Sequence, residues 1–482
     1  LDPARRHDLG ALSLEYLTRS KRAIEGLIGT GKNQRTMAEV PVDAASRYAC
    51  EDADLTLQLR RVLEPRLDEH GLRLLFDRVE MPLLPVLAEM ELAGMAIDVP
   101  FLEKMSQQFE NDLGQLMGEV YRIAGTEFNI NSTKQLGEVL FERLKLPHGR
   151  KTKTGYSTDV RVLEELAVEH ELPQKLLDYR HLSKLKSTYV DALPRLINPQ
   201  TGRVHTSFNQ TGTETGRLSS NNPNLQNIPI RTDVGREIRK AFIPGAPSHV
   251  LVSADYSQVE LRLLAHLSGD EQLQAAFRTD ADIHTRTAAL VFNIPEGMVP
   301  ADLRRQAKVV NFGIIYGMGP YGLAQALKIS HEDARRFIER YFAQYPGVHA
   351  YIEHLKQEAR EQGYVTTLLG RRRYIPEITS SNFQRREFAE RAAINMPVQG
   401  TQADLIKVAM VRIHDELRRR GLSAKLILQV HDELVFDAPS TEAAEVSEMV
   451  KTQMERAFEP DIHLSVPIKA EVGVGKDWLE AH

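Results

Sequence analysis

Two short apolar runs, far apart in the chain, each lead into acids. Val250-Leu251-Val252 enters Asp255-Tyr256-Ser257-Gln258-Val259-Glu260. Leu426-Ile427-Leu428 enters His431-Asp432-Glu433, which exits through Leu434-Val435-Phe436. Both runs read as buried strands. The stretch from about 258 to 365 carries helical periodicity instead. Strand signals at 250 and 430 with helices between them predict one sheet domain split by an inserted domain, so the chain reads as α+β and multidomain. Acids at two strand ends also suit Mg²⁺, which takes carboxylate oxygens together with substrate phosphates.

The inserted stretch holds Arg304-Arg305-Gln306-Ala307-Lys308, running on to Phe312 and Tyr316. Steps of four on a helix drift only ~40° each, so Arg304, Lys308, Phe312 and Tyr316 line one side over ~18 Å. Leu303, Ala307, Val310 and Ile314 cluster on another side and can pack inward. Two cations followed by two aromatics can hold a triphosphate at one end and stack a base or sugar near the other. A surface helix with an aromatic contact to its neighbour would show the same pattern. Gly313 costs this helix about 1 kcal/mol against Ala, which suits close approach by a ligand or a moving element. Asp255 could equally cap a helix beginning near Gln258, and Asp432 and Glu433 could sit in an ordinary hairpin turn.

A length of 482 residues predicts roughly three domains at ~150 each. The single cysteine, Cys50, rules out an internal disulfide and fits a reducing, cytoplasmic compartment. No apolar run approaches the ~20 residues that span a bilayer, so no membrane partner is expected. The start, Leu1-Asp2-Pro3, is polar and lacks Met, which reads as a fragment or processed form. Net charge is -5, which by itself argues against nucleic acid. Binding depends on where charge sits, however. Arg150, Lys151 and Lys153 lie in a stretch without an acid. Arg371 to Arg373, Arg385, Arg386 and Arg391 outnumber Glu377, Glu387 and Glu390. Solvated surface charge is the competing reading for either cluster.

Residues 1 to about 70 read as helices, with Ser13 as a capping candidate. Long amphipathic helices follow to about 200, for example Leu113 to Ile123 and Leu163 to Leu185; Ser132 or Thr133 could cap a helix between them. Gly, Asn, Thr and Pro concentrate in Thr211 to Pro229. The last hundred residues mix a helix, Ala403 to Arg420, with β signals at Ala424 to Phe436 and Leu464 to Val474. Gly317 to Gly322 fits Gly-x-Gly-x-x-Gly but follows a helix, which argues against a dinucleotide site. Gly29-Thr30-Gly31-Lys32 lacks the spacing of a P-loop. Trp478 reads as a packing residue.

Asp-Tyr-Ser-Gln-Val-Glu-Leu-Arg at 255–262, Arg304 through Tyr316-Gly317, and Gln429-Val430-His431-Asp432-Glu433 resemble the three polymerase motifs of family A DNA polymerases. The resemblance runs over nearly the whole chain. It implies a right hand of thumb (71–200), palm (201–275 and 393–482) and fingers (276–392). An antiparallel palm sheet and a preceding remnant (1–70) of an RNase H-like 3′–5′ exonuclease domain complete it. The implied activity is template-directed addition of deoxynucleoside triphosphates to a primer-template, as a monomer at the bacterial nucleoid, with two Mg²⁺ ions that Mn²⁺ can replace.

Residue by residue, the resemblance makes Asp255 and Asp432 the metal ligands and Glu433 a neighbouring acid of lesser catalytic role. Arg304 and Lys308 become triphosphate contacts, with Lys308 also the proton donor to pyrophosphate. Phe312 packs on the incoming sugar, and Tyr316 sits at the insertion site. Glu260 becomes the steric gate against a ribose 2′-hydroxyl, and Gln258 and His284 further nucleotide contacts. Arg217, Asn224, Gln226, Arg391, Asn395 and Gln399 resemble duplex contacts. Amides and arginines there can test minor-groove acceptors, which every base pair presents in nearly the same places. Tyr48 and Asp52 match the last exonuclease motif. Its earlier acidic motifs would lie before Leu1, so no proofreading is expected of this chain alone.

Overall fold

The computed structural model describes residues 1–147, 151–152, 155–230 and 232–482. Of the basic stretch 150–153, Arg150 and Lys153 therefore lie outside the described residues. A four-stranded antiparallel sheet organises the site. Its strands are β1 (His249–Tyr256), β2 (Lys425–Val430), β3 (Glu433–Pro439) and β4 (Ala470–Gly475), in the order β2-β3-β1-β4. The two predicted runs, in β1 and β2, thus belong to one sheet with β3 paired between them, and Glu433 of β3 lies opposite Asp255 in the register. Strands β1, β2 and β3 read as largely apolar runs because both of their faces are covered, whereas β4 is partly exposed. Val252, Ala254, Leu434 and Phe436 face one large core, whereas Leu251, Val435 and Leu428 face a second core with Phe242 and Trp478. Side-chain alternation puts Ser253, Asp255 and Glu433 on that second face.

Helices surround the sheet. The long α1 (Val42–Glu69) belongs to the leading segment. Next, α2 (Met81–Ala93) sends Leu83, Val86, Leu87 and Met90 into the large core. The long α3 (Val99–Ala124) packs on α4 (Glu171–Leu185). After β1, α5 (Val259–Ser268) is almost wholly buried. The inserted unit includes α6 (Ile283–Phe292), packed against α7 (Ala301–Ile315). The longest, α8 (Phe383–Arg420), runs unbroken through residue 392, where the sequence-based boundary between inserted unit and second sheet part falls.

Several local expectations shift. Asp8, not Ser13, caps the first helical turn; Ser13 is buried inside that helix. Ser132 does cap its helix, accepting from the Gln135 backbone. The run 163–185 breaks after Leu166 and restarts at Glu171, with His170 as cap. Pro173 explains the restart, since proline fits a first helical turn and not an interior. Thr211 to Pro229 is not all irregular, because Ser219–Asn221 pairs with Ser207–Asn209. Gly317–Gly322 joins two helices, and Gly319 starts the second with Pro320 following it.

Candidate active site

Asp255 stands at the end of β1 and Asp432 in the two-residue turn between β2 and β3. The backbone N–H of Tyr256 donates to the Asp432 carbonyl at 3.2 Å, locking that turn beside the strand end. His431, in the same turn, takes a left-handed φ of 55°. Both the strand end and the hairpin turn are thus real, and the turn itself presents the second acid. Asp255 caps no helix. Gln258 occupies the capping position of α5, at φ 53° and without a side-chain bond to the helix. A left-handed non-glycine residue is uncommon and concentrates at functional sites.

The acids pay electrostatically for proximity. Burial, then the charges of Asp432 and Glu433, push the Asp255 carboxyl up to about 8. Burial, with Glu260 adding to it, pushes Asp432 up to about 6. Asp255 Oδ1 is buried without a hydrogen-bond partner. Such an orphaned buried oxygen needs a counter-charge. Among the described residues no group of three or more His, Cys, Asp or Glu side chains forms a metal cage. An acid pair of this kind suits an ion whose remaining positions come from substrate phosphates and water.

Glu433 differs. Ser253 Oγ donates to it at 2.6 Å and Trp478 Nε1 at 2.7 Å. Arg239 Nη1 lies 3.3 Å away, and His482 Nδ1 at 3.2 Å. Burial alone would raise this carboxyl, but His482, Arg239 and Ser253 hold it below its usual range. The Arg239 guanidinium in turn stacks 4.0 Å from the Trp478 ring centroid. Trp478 therefore packs, as expected, and also donates.

Glu260 joins sheet and inserted unit. It is buried and accepts from Arg217 Nη2 at 2.7 Å and from the Tyr316 hydroxyl at 2.8 Å. Burial and that carboxylate push the Tyr316 phenol upward. Phe312 and Tyr316 stack at 6.5 Å with planes 22° apart, and His284 lies 5.9 Å from Phe312. Arg304 and Lys308 are exposed on α7, as the four-residue spacing predicts, with Ala307, Val310 and Ile314 buried. Arg304 Nε pairs with Asp282 at 2.6 Å. Asp282 also caps α6, accepting from the His284 and Thr285 backbones. Burial and then Lys308 depress the His284 imidazole to about 4. Gly313 is tight against the chain's own Met318, whose Sδ would lie 3.2 Å from an added Cβ.

The six candidate duplex contacts divide. Arg217 serves Glu260 and Gln402. Gln226 Nε2 donates to the Gln429 carbonyl at 3.1 Å and side chain at 3.0 Å, bracing the hairpin that carries Asp432. Asn224 Oδ1 closes a turn onto the Gln226 backbone. Arg391, Asn395 and Gln399 follow one another along α8, half-exposed. Arg391 pairs with Glu387 at 3.0 Å, and Asn395 Oδ1 is buried without a partner. In the leading segment, the Lys21 ammonium lies 2.9 Å from Asp52 and donates to the Tyr48 hydroxyl at 2.7 Å.

Residues 99–480 match the model of DNA polymerase family A, and the chain belongs to that family. It is 47% identical over 487 residues to DNA polymerase I of Geobacillus stearothermophilus, covering all of this chain and 54% of that protein. With the thermostable DNA polymerase I of Thermus filiformis it shares 52% identity over 92% of its length and 53% of the relative's. The chain thus spans about half the length of these curated relatives. Among solved structures, the polymerase domain of Pol1 from M. smegmatis, in complex with DNA primer-template and dNTP, superposes at TM-score 0.89. That match has 41% identity and covers all of this chain and 80% of the other. Sequence reasoning missed Arg239, Ser253, His482, Asn311 and Thr287. Asn311 carried a signal: it stands one helical turn from the buried Ala307, a polar residue on the apolar side of α7.

Proposed function

We propose that this chain is a template-directed DNA polymerase that joins deoxynucleoside triphosphates to a primer 3′-hydroxyl and releases pyrophosphate. The supporting observation is the meeting of Asp255 and Asp432 at one end of the sheet, where the Asp432 turn is hydrogen-bonded beside Asp255 and a buried carboxylate oxygen is left without a partner. Two divalent cations held by these acids, Mg²⁺ or Mn²⁺, would acidify the primer hydroxyl and neutralise the leaving pyrophosphate. Arg304 and Lys308 bind the triphosphate, and Lys308 gives its proton to the departing pyrophosphate. Phe312 packs on the sugar, and Glu260 excludes a 2′-hydroxyl. Arg217, Gln226 and the α8 residues Arg391, Asn395 and Gln399 touch the duplex, while Gln258 and Asn224 shape the loops beside it. Glu433 holds the strand end rather than the ions, since four donors already occupy it. The thumb, palm and fingers follow the ranges 71–200, 201–275 with 393–482, and 276–392.

We assign no proofreading to this chain, because the Lys21 ammonium already sits against the Asp52 carboxylate where a cation would have to bind. Primer extension with purified chain, Mg²⁺ and single-nucleotide omissions tests the reading. The expected result is templated extension that falls to background in Asp432→Ala with primer-template affinity retained, and a mismatched primer end left undigested. Extension by Asp432→Ala at the parent rate would overturn the assignment.

A further inference from the structure

Behind His284 runs a line of buried polar groups. Tyr345 Oη lies 3.4 Å from Thr287 Oγ1, Thr287 Oγ1 donates to Asn311 Oδ1 at 3.1 Å, and Asn311 Nδ2 lies 3.0 Å from His284 Nδ1. Thr287, Asn311 and Tyr345 are fully buried and His284 nearly so. Three elements supply them: Thr287 and His284 come from α6, Asn311 from α7, and Tyr345 from the junction of helices His331–Gln344 and Pro346–Gln362. An apolar core has no need of such a line, and an unsatisfied member would cost about 1–3 kcal/mol.

With the Asn311 amide oriented as these contacts place it, Oδ1 toward Thr287 and Nδ2 toward His284, the line runs one way. A tyrosine hydroxyl that donates to Thr287 leaves the threonine proton free for Asn311 Oδ1. The amide NH₂ of Asn311 can only donate. His284 Nδ1 must then accept, which in a neutral ring puts the single proton on Nε2. We propose that Asn311 is a positioning residue for nucleotide binding, holding His284 in the tautomer whose Nε2–H points its donor at a triphosphate oxygen. This rests on the polymerase reading, which supplies the triphosphate. The charged groups around the ring are Asp282 at the start of α6 and Arg304 and Lys308 on α7. With those two cations close by, a neutral donor avoids a third positive charge while still meeting the phosphate. The low imidazole pKa of about 4 accords with a ring that stays neutral throughout the working range.

Nitrogen-15 spectra of the imidazoles in the free 482-residue chain, with His284 assigned by its Gln variant, read the tautomer directly and need no catalysis. The expected spectrum shows one protonated nitrogen, Nε2, and an unprotonated, hydrogen-bonded Nδ1 from pH 6 to 8. Asn311→Asp replaces the donor by an acceptor, so the proton should appear on Nδ1. The KM for deoxynucleotide should rise about tenfold or more, with kcat changed less, as for a lost hydrogen bond to a charged group. In a His284→Gln background, where an amide donates whatever stands at 311, Asn311→Asp should add little; this non-additivity separates positioning from general damage. A native His284 protonated on Nδ1, or additive effects in the two backgrounds, would overturn the proposal. A correct tautomer in a chain that extends no primer would instead sink the polymerase reading and leave the hydrogen-bond assignment standing.

Discussion

The price of the site is visible at single residues. Asp255 has its carboxyl pushed up to about 8 by burial and by its acidic neighbours, and an unfolded Asp titrates near 3.9. Between those values the folded state binds the proton more tightly. The unfolded state therefore carries fewer protons, and stability falls as pH rises from about 4 to about 8. A divalent cation held by these acids would reverse the penalty by favouring the ionised form. Two outcomes follow for metal-free protein. Asp255→Asn should raise the melting temperature at pH 7.5 by roughly 2 °C or more while abolishing extension. Added Mg²⁺ should raise the melting temperature of the parent more at pH 8 than at pH 6, and scarcely affect the variant. Calorimetric scans check both; an Asn variant that melts lower than the parent would show that burial and repulsion do not dominate at this position. The two acids themselves were legible in the sequence, because each follows a strand signal. Their strain was not, since it arises from the pairing of residues far apart in the chain.

At the scale of elements, a largely buried ion cluster ties the start of α2 to α8. Glu80, just ahead of α2, accepts from Lys407 of α8 at 2.8 Å, from Gln210 at 2.7 Å and from Arg371. Arg371 also pairs with Asp404 at 2.7 Å, and Thr367 donates to Asp404 at 2.6 Å. Burial would raise the Glu80 carboxyl, but Lys407 and Arg371 bring it net below its usual range. The Arg371 side chain runs under Gly216, where a Cβ would come 2.5 Å from Nε and the φ is +80°. The cluster thereby fixes the loop that presents Arg217. Glu80→Ala strands a fully buried ammonium and should cost ~3 kcal/mol or more. Glu339→Ala, which opens an exposed pair with Arg335, should stay within ~0.5 kcal/mol. Urea midpoints compare them, and equal midpoints would mean that the cluster is not integral to the fold. Periodicity could find α7, because its apolar and cationic sides separate cleanly. It could not find this cluster, whose members come from positions 80, 210, 371 and 404–407. The first part of α8 shows in the sequence only as the four-residue steps of Arg391, Asn395 and Gln399; Pro397 removes a helical N–H and reads as an end, yet the helix continues through it.

For the whole molecule, the split sheet was legible because β1 and β3 each declare themselves by an apolar run. The placing of β4 on the other side of β1 was not, since pairing depends on chain folding beyond any local pattern. Charge shows the same division between sum and arrangement. The total is -5. Among the arginines of the 371–391 window, Arg373 pairs with Glu214, Arg385 lies 3.7 Å from Glu377, and Arg391 lies 3.0 Å from Glu387. Arg386 instead donates to the Ser380 carbonyl at 2.8 Å. Exposed pairs of this kind are worth under about 1 kcal/mol each and exchange readily for phosphate. A net negative chain can therefore still bind a polyanion through local cations, and that binding must release counterions from the nucleic acid. The logarithm of primer-template affinity should fall linearly with the logarithm of salt, by about 0.9 for each phosphate neutralised. Replacing Arg385, Arg386 and Arg391 together by Ala should weaken binding at low salt and flatten that slope by up to about three such steps. Fluorescence anisotropy titrations at a series of salt concentrations measure both quantities. A slope near zero in the parent would mean that the -5 total governs after all and that duplex DNA is not this surface's ligand, whereas a steep slope untouched by the triple replacement would move the contact to other cations of the chain.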